Sequence, residues 1–514
     1  MQDYTRIFSA VQNGNDVRGA VIPTETEKKT LTGPIVTYIT AAFAGFLSEK
    51  CGKDPASLRI GIGHDSRITA EQMKQACFAG LSAVKAYDCS LITTPAMFQS
   101  TLLPESNFDG AVMITASHLP FNRNGLKFFT KDGALSKSEL TIILENASKL
   151  AEQFAQPDED SILTADAFPA GGSAPEPFGM KEIYCSHMKE IICREVNADD
   201  YRHPLKGLHI VEDAGNGAAG FFATDILQPL GADISGSVFL EPDGTFPNHV
   251  PNPENRAAME AARKATQEAK ADLGVIFDCD GDRGAVVFSD GTEVNRNTLI
   301  ALLGVIVSEQ APGSVIVTDS VTSDELAAFL TGDLGLKHLR FKRGYKNVID
   351  KGIELNNSGE VCELAIETSG HGAFRENHFS DDGAYIATKI IIRMACLRKE
   401  GRKIESLIEG LRHPAEADEL RLKITVPDFK SYGRQVLDDF KAFCETDPRF
   451  HIVTPNYEGV RVAFDDDEVK GWLLMRLSLH DPVIPINFES QEKGGAAVLK
   501  ARIEPFIRAH QGLA

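Results

Sequence analysis

Three carboxylates recur at every second position within DCDGDR, at residues 278–283, directly after an apolar run at 274–277. They are Asp278, Asp280 and Asp282. Because Gly281 lets the backbone curl, their oxygens can point at one centre. An oxygen-only ligand set favours Mg²⁺ over zinc. An EF-hand is excluded, because Arg283 and Ser289 stand where that loop needs glycine and glutamate. An acidic turn between two strands stays open as an alternative.

A candidate nucleophile lies in a second polar segment, TASHLP, at residues 115–120, which also follows a short apolar run. Ser117 lies beside His118 and close in sequence to Lys127. A hydroxyl is a weak nucleophile unless a base or a cation activates it, and both are near here. A polar loop with a helix-capping serine explains the same residues without catalysis.

Two further segments carry side chains suited to binding. Glu367 and Ser369 alternate, so in an extended chain they face one side, as the neighbouring hydroxyls of a polyol require. His371 follows them, although a lone histidine is more often structural. Arg476 and Ser478 end an apolar run, where a guanidinium and a hydroxyl can hold a phosphate, or where an arginine simply ends a strand at the surface.

One pattern indicates a nucleotide cofactor but lacks a necessary part. Residues 215–220 match G-x-G-x-x-G after a predicted strand at 208–211. Asp233, the acidic residue at about the right distance, begins the next strand rather than ending it, so it is poorly placed for a ribose. We therefore favour a helix N-terminus packed by small residues over an NAD or FAD site.

Alternating strands and helices position these segments. Apolar runs at residues 58–63, 109–115, 208–211, 273–277 and 314–318 alternate with helical patterns at 69–86, 217–227, 256–269 and 323–330. Each run leads into a loop at its carboxyl end, where open α/β sheets bind ligands. Near the C-terminus the runs at 460–464, 472–477 and 483–488 are adjacent, which is typical of an antiparallel sheet with helices on one face.

The predicted fold class is therefore three related mixed-sheet α/β domains followed by an α+β domain. We place the domains at residues 1–160, 178–295, 296–413 and 418–514, with a connection rich in Asp, Ala, Gly and Pro at 156–177.

Composition limits the partners. The 514 residues carry 73 acidic and 53 basic side chains, a net charge of −20, which argues against nucleic acid or an anionic membrane as a partner. An anionic substrate must then meet a local basic cluster. Nine cysteines without a C-x-x-C pair, and a start without a secretory signal, predict a reduced, cytoplasmic protein. The most apolar runs, at 38–47 and 299–307, are shorter than the ~20 residues of a membrane span.

Taken together, the segments resemble those of the α-D-phosphohexomutase superfamily, the phosphomannomutases and phosphoglucomutases. The resemblance is carried, in chain order, by NDVRG at 15–19, HDSR at 64–67, the Ser117 segment, PDGTFP at 242–247, the Asp278 segment, RGY at 343–345, the Glu367 segment and R-x-S at 476–478. It covers nearly the whole chain. It implies a heart-shaped molecule in which the four domains surround a central cleft.

The resemblance also implies roles for individual residues. Ser117 is similar to the family's phosphoserine and, with Asp278, Asp280 and Asp282, to its Mg²⁺ ligands. Its catalytic basic residues match Arg18, His118, Lys127, Arg283 and His371, with Lys127 and His371 as candidates for proton transfer. Its substrate-binding residues match Arg343, Gly344, Tyr345, Glu367, Ser369, Arg476 and Ser478, the last two for the phosphate that does not react.

The implied activity is Mg²⁺-dependent interconversion of hexose 1-phosphate and 6-phosphate, of mannose or glucose, by a monomer or homodimer. It would proceed through a phosphoserine enzyme and a bisphosphorylated sugar, with hexose 1,6-bisphosphate as activator. Phosphoglucosamine mutase and a non-catalytic phosphosugar-binding relative are the alternatives. The chain departs from the family pattern at Leu119, usually asparagine, at Asn15, often tyrosine, and at residues 477–481, where Leu479, His480 and Asp481 replace the small donors of the usual phosphate loop.

Overall fold

The computed structural model describes residues 4–154, 162, 175–478 and 481–514. Most of the predicted connection at 156–177 lies outside these residues. The chain forms two compact units. Unit 1 contains Met1–Asn295, Ser369–Ala373 and Ser380–Ile404, and unit 2 contains Arg296–Thr368, Phe374–Phe379 and Glu405–Ala514. Among the described helices, none has the length and apolar character needed to cross a membrane.

The first sheet of unit 1 is mixed and has the order β1-β2-β6-β5-β3-β4-β8, with β7 paired to β6. Its strands are β1 (Gln12–Asn13), β2 (Asp16–Ala20), β3 (Arg59–His64), β4 (Lys85–Leu91), β5 (Gly110–Ile114), β6 (Arg123–Thr130), β7 (Gly133–Ala134) and β8 (Glu176–Pro177). The helices are α1 (Tyr4–Ala10), α2 (Gly33–Cys51), α3 (Ala70–Gly80), α4 (Thr94–Gln99) and α5 (Lys137–Phe154). Every residue of β5 is buried, as its continuous apolar run requires of a strand covered on both faces.

The second sheet of unit 1 has the order β12-β11-β10-β9. Its strands are β9 (Ile210–Asp213), β10 (Leu273–Phe277), β11 (Gly284–Phe288) and β12 (Glu293–Val294), and its helices are α6 (Met180–Val196), α7 (Arg256–Ala269) and α11 (Gly383–Lys399). Strands β10 and β11 pair antiparallel from Phe277 and Gly284 outward. Residues 278–283 are therefore the connection of a hairpin whose two strands are fully buried.

The first sheet of unit 2 contains the parallel strands β13 (Val315–Thr318), β14 (Lys337–Arg340) and β15 (Cys362–Ile366), with β13 between the other two. The helices are α8 (Arg296–Gln310), α9 (Asp324–Ala328), which continues as a π-helical segment at Phe329–Asp333, and α10 (Tyr345–Asn357). Short strand β16 (Gly372–Phe374) lies where the chain passes between the units.

The C-terminal part of unit 2 is an antiparallel sheet in the order β17-β21-β20-β19-β18. The strands are β17 (Glu416–Lys423), β18 (His451–Ile452), β19 (Val460–Asp465), β20 (Lys470–Met475) and β21 (Val483–Ser490), and the helices are α12 (Phe429–Glu445) and α13 (Gly495–Ala509). Apolar residues of both helices, such as Phe440 and Phe506, pack into the core of this sheet. The predicted fold class, three α/β domains and an α+β domain, is confirmed, whereas the four domain boundaries stay a prediction.

Two local predictions are wrong. The helix expected at 69–86 ends at Gly80, and β4 begins at Lys85, because side chains of 85–91 alternate in burial as in a strand. The helix expected to open at Gly217 begins as a π-helical segment only at Phe222. The residues before it form a turn in which Gly217 makes a close contact described below.

Candidate active site

Ser117 lies just beyond the carboxyl end of β5, within residues 115–123, which we call the Ser117 turn. Its own φ there is +50°. Its amide donates to Thr115 Oγ1 (2.8 Å), and its hydroxyl donates to Asp278 Oδ2 (2.8 Å). The candidate nucleophile from the first sheet and the hairpin connection from the second sheet of unit 1 are therefore in direct contact.

The three aspartates predicted to hold a metal do converge. One carboxylate oxygen from each of Asp278, Asp280 and Asp282 lies within 4.8 Å of the others, and all three side chains are buried. Gly281 makes the turn possible with a φ of +72°. Asp280 Oδ1 and Asp282 Oδ1 are buried without a hydrogen-bond partner among the described residues. Buried oxygens of this kind need a partner, and an oxygen-only set fits a hard divalent cation.

Lys127 and Thr94 hold one side of the aspartate cluster. Lys127 Nζ donates to Asp280 Oδ2 (2.9 Å) and also to Asp282 Oδ2. Thr94 Oγ1 donates to Asp280 Oδ2 (2.6 Å). Burial alone would raise the pKa of Asp280, but the Lys127 ammonium and the Thr94 hydroxyl hold that pKa below its ordinary value.

Asp278 differs from Asp280 although both are fully buried. Burial, followed by the charges of Asp282 and Asp280, raises the pKa of Asp278 well above its ordinary value. The positive charges of Arg283 and His371 therefore do not outweigh the burial of Asp278 and the two carboxylates beside it. A divalent cation would remove this imbalance.

Residues 278–283, which we call the aspartate hairpin, contact two histidines through Arg283. Its Nη2 lies 3.0 Å from His118 Nδ1 and 3.5 Å from Ser117 Oγ, and its Nε donates to His371 Nε2 (2.9 Å). Burial and the Arg283 charge lower the pKa of His118 to about 3, so this ring is neutral and accepts from Arg283.

The pKa of His371 is shifted in the opposite direction to that of His118. Its Nδ1 lies 2.6 Å from Asp381 Oδ2 and 3.6 Å from Asp282 Oδ1. Burial opposes protonation, but these two carboxylates outweigh it and raise the pKa of His371 to about 9. Because Arg283 donates to Nε2, protonation of that nitrogen requires Arg283 to release it. Asp381 was not among the predicted site residues, although its position just before the Asp382 cap of α11 was a visible signal.

Arg18, on β2, points at the Ser117 turn. One nitrogen of its guanidinium donates to the Thr115 carbonyl and another to Asp16 Oδ2 (2.9 Å). Its partner across the strand pair is Gly125, where a Cβ would lie 2.0 Å from the Val17 carbonyl oxygen. Only glycine therefore allows β2 and β6 to approach closely enough to aim Arg18 at this turn.

Unit 2 brings together a second group of predicted residues. Glu367 Oε1 accepts from the Gly344 amide (2.7 Å), and Arg343 Nε lies 3.3 Å from Asp319 Oδ2, which also accepts from Thr368 (2.8 Å). Burial and the Glu367 charge outweigh Arg343 and raise the pKa of Asp319 to about 7. Asp319 was missed, although it directly follows β13 as the predicted loops follow their strands. Tyr345 begins α10.

The extended conformation expected for residues 367–369 is not found. Strand β15 ends at Ile366, and the chain then turns through Gly370, whose φ is +94°. Glu367 belongs to unit 2 and Ser369 to the Ser369–Ala373 segment of unit 1. The alternation of the two residues along the chain therefore does not place them on one face of a strand.

Arg476 and Ser478 follow β20. Arg476 is buried, its Nε has no hydrogen-bond partner in the described part of the chain, and burial and the Arg343 charge lower its pKa. The Ser478 hydroxyl accepts from the Asp481 amide (3.2 Å). Leu479 and His480, the departures from the family loop, lie outside the described residues.

Glu458 was missed and had no signal in the sequence. It accepts from the Arg343 amide (3.2 Å) and from Ser320.

The glycine pattern at 215–220 has a packing role. A Cβ on Gly217 would lie 2.6 Å from the Cys279 carbonyl oxygen, and the Ala218 amide donates to that same oxygen (2.8 Å). The small residues therefore let the turn after β9 lie directly against the aspartate hairpin.

Models of known families match most of the chain. They are described as phosphoglucomutase/phosphomannomutase alpha/beta/alpha domains I, II and III, and match residues 10–154, 182–291 and 295–414. The chain is similar to a phosphoglucomutase of Neisseria gonorrhoeae, with 27% identity over 97% of this chain and 96% of the relative. A phosphomannomutase/phosphoglucomutase of Pseudomonas syringae pv. tomato is 28% identical over 93% and 90% of the two chains.

One further relative and one solved structure widen the comparison. A probable phosphoglucosamine mutase of Methanopyrus kandleri is 26% identical over 93% of this chain and 96% of the relative. In fold, the chain is similar to a phosphoglucomutase/phosphomannomutase family protein from Burkholderia thailandensis, with a TM-score of 0.76, 24% identity and coverage of 99% and 98% of the two chains.

Proposed function

The chain belongs to the phosphoglucomutase/phosphomannomutase family, a family of phosphotransferase-type isomerases, and on that premise we propose that it interconverts hexose 1-phosphate and hexose 6-phosphate. Glucose and mannose are the proposed sugars. The observation that carries the proposal is the 2.8 Å contact of the Ser117 hydroxyl with Asp278. This contact supports the proposal because it joins a candidate nucleophile to a buried oxygen cluster suited to a divalent cation.

In the proposed reaction Ser117 carries a phosphoryl group. The bond between Ser117 Oγ and phosphorus breaks while a bond forms between phosphorus and a sugar oxygen, whose proton leaves. The resulting bisphosphorylated sugar turns round and returns its other phosphoryl group to Ser117. Lys127 and His371 are the proposed proton carriers, and the contacts of His371 with Asp381 and Arg283 fix the direction of its ring.

Phosphoryl transfer needs positive charge around the transferred group, because its oxygens carry the negative charge. Arg283 reaches the Ser117 hydroxyl and Arg18 lies at the same turn, so both guanidinium groups can supply this charge, whereas the neutral His118 ring contributes only a hydrogen-bonding nitrogen. Asp278, Asp280 and Asp282, with an oxygen on Ser117, would hold Mg²⁺, which when bound neutralises charge on that group. This basic surrounding lets a chain with a net charge of −20 accept an anionic substrate.

Substrate recognition is proposed for the predicted residues outside this cluster. Arg476 is a buried guanidinium whose Nε has no partner in the described residues, and such a group favours an anion such as phosphate. Ser478 would assist it. Arg343, Gly344, Tyr345, Glu367 and Ser369 are proposed to bind the sugar.

Coupled assays test the proposal. The purified protein is given glucose, mannose or glucosamine 1-phosphate with Mg²⁺ and the matching 1,6-bisphosphate, and the 6-phosphate product is measured. We expect turnover of the glucose or mannose substrate. Preference for glucosamine 1-phosphate would favour the second candidate, phosphoglucosamine mutase, which the M. kandleri relative supports. No turnover on any substrate would favour a phosphosugar-binding protein.

A further inference from the structure

Arg67 holds the backbone of the Ser117 turn through four hydrogen bonds. Its Nη2 donates to the carbonyls of Ser117 (2.6 Å) and Leu119 (2.5 Å), and its Nη1 donates to those of Pro120 (2.8 Å) and Arg123 (2.8 Å). The side chain is fully buried. The proposed function uses neither Arg67 nor the segment HDSR in which it lies.

Asp65 holds the same turn from its other side. Its Oδ2 accepts from the Thr115 hydroxyl (2.6 Å), which in turn accepts from the Ser117 amide (2.8 Å). The Asp65 carboxylate also accepts from the Arg67 amide (3.0 Å) and lies 3.4 Å from Arg67 Nε. The amide and the carbonyl of Ser117 are thus both fixed by one short segment.

A third segment, PDGTFP at 242–247, packs against Arg67. The Phe246 ring centroid lies 5.3 Å from the guanidinium carbon, and a Cβ on Gly244 would lie 2.4 Å from the Ser66 carbonyl oxygen. Asp65 also reaches the aspartate hairpin, because Cys279 Sγ donates to its Oδ2 (3.3 Å). Segment 64–67 therefore contacts both loops of the candidate site, and segment 242–247 packs against segment 64–67.

The turn needs this support. Ser117 has a φ of +50°, a left-handed conformation that is uncommon for a residue with a side chain and less favourable than the usual negative φ. A small relaxation there would move Ser117 Oγ away from Asp278. We infer that Arg67 and Asp65 form a positioning pair that holds Ser117 in register with the aspartate hairpin. This inference rests on the proposed function for its effect on turnover.

The first variant is Arg67→Lys. Lysine keeps the positive charge beside Asp65, but its compact ammonium cannot span four carbonyls as the planar guanidinium does. We expect kcat to fall roughly tenfold or more, because small misplacements of reacting groups are costly, while KM stays within about twofold. The matched control is Arg59→Lys. Arg59 also donates to a carbonyl, Ser106 O (3.3 Å), and lies 4.5 Å from the Tyr87 ring, but it does not touch the Ser117 turn.

A second variant, Thr115→Val, removes the hydroxyl between Asp65 and the Ser117 amide at nearly constant volume. It should lower kcat in the same way if Arg67→Lys does not fold. If a folded Arg67→Lys or Thr115→Val protein has the same kcat as Arg59→Lys and differs only in a lower melting temperature, the role is merely structural. That result would overturn the inference.

Hydrogen exchange separates this inference from the proposed function. In peptides covering residues 115–123, Arg67→Lys and Thr115→Val should take up deuterium faster than wild type and Arg59→Lys. If the wild type itself turns over no hexose phosphate, the proposed function fails while exchange still judges whether the pair holds the turn. Unchanged exchange in both variants would overturn the positioning role whatever the activity.

Discussion

The hydroxyl of Ser117 lies 2.8 Å from Oδ2 of Asp278, although 161 positions separate them in the chain. The contact joins a turn of the first sheet of unit 1 to a hairpin of the second. Neither segment by itself distinguishes a catalytic loop from an ordinary polar turn. Their contact places a hydroxyl, a buried oxygen cluster and Arg283 around one point, and the following predictions start from it.

Ser117 should be the phosphorylated residue. Intact-mass measurement of freshly purified protein should show one added phosphate in a fraction of the molecules, and Ser117→Ala should lose both this phosphate and the mutase activity. The control is Ser138→Ala, at an exposed serine in helix α5 beside the first sheet of unit 1. It should keep both the phosphate and the activity. Phosphate that persists in Ser117→Ala would assign the modification to another residue.

Asp280→Asn should weaken metal binding and activity together. The substitution removes one negative charge from the cluster and with it the ion pair of Lys127 with residue 280, so Mg²⁺ titrations of activity should shift to higher concentration and calorimetry should show weaker binding. The control is Asp290→Asn, in an exposed turn that follows β11. It should have the Mg²⁺ affinity and activity of the wild type. Full activity and unchanged Mg²⁺ affinity in Asp280→Asn would reduce the hairpin to a structural turn.

Gly217→Ala should displace the aspartate hairpin, because Gly217 packs against the backbone of Cys279. The new methyl would lie 2.6 Å from the Cys279 carbonyl oxygen, a backbone atom that can move only by shifting the hairpin. We expect a loss of about 1–3 kcal/mol in the free energy of unfolding, together with reduced activity. Gly45→Ala, in α2 with nothing within 4 Å, should instead stabilise the protein by roughly 0.5–1 kcal/mol. Equal stability of the two variants would contradict the packing role.

Glu489 should make stability depend on pH. Burial raises its pKa to about 8 from the ordinary 4.5, even though Trp472 Nε1 donates to it (2.9 Å). Because the folded state holds this proton more tightly than the unfolded state, the contribution of Glu489 is fully favourable below pH 4.5 and is lost as pH rises towards 8.

Glu489→Gln should therefore gain stability relative to wild type as pH rises from about 5 to about 9, by at least about 1 kcal/mol. Denaturant unfolding at several pH values measures the difference. The exposed Glu492→Gln provides the control and should track wild type. A stability difference between Glu489→Gln and wild type that stays constant with pH would contradict the raised pKa.

The local elements were largely accessible from the chain itself. Apolar periodicity predicted α7 at its observed bounds and the run that became β10, because burial of one face or of a whole strand leaves a pattern in nearby residues. The aspartate spacing and the order of the motifs by themselves indicate the metal chemistry and the family. Where local pattern and local geometry disagreed, as at 217–222 and 367–369, a glycine turn replaced the regular element that alternation or spacing suggested.

Only the tertiary structure decided which of these segments meet. The contacts of Asp381 with His371, of Arg67 with the Ser117 turn and of Gly217 with Cys279 join positions on different strands or loops. Periodicity reports that a side chain is buried but not which neighbour buries it, since that depends on strand order and on backbone conformations such as the positive φ of Ser117. Most residues of the site were therefore predictable from the chain, whereas Glu458 and the geometry of the site follow only from the packed sheets.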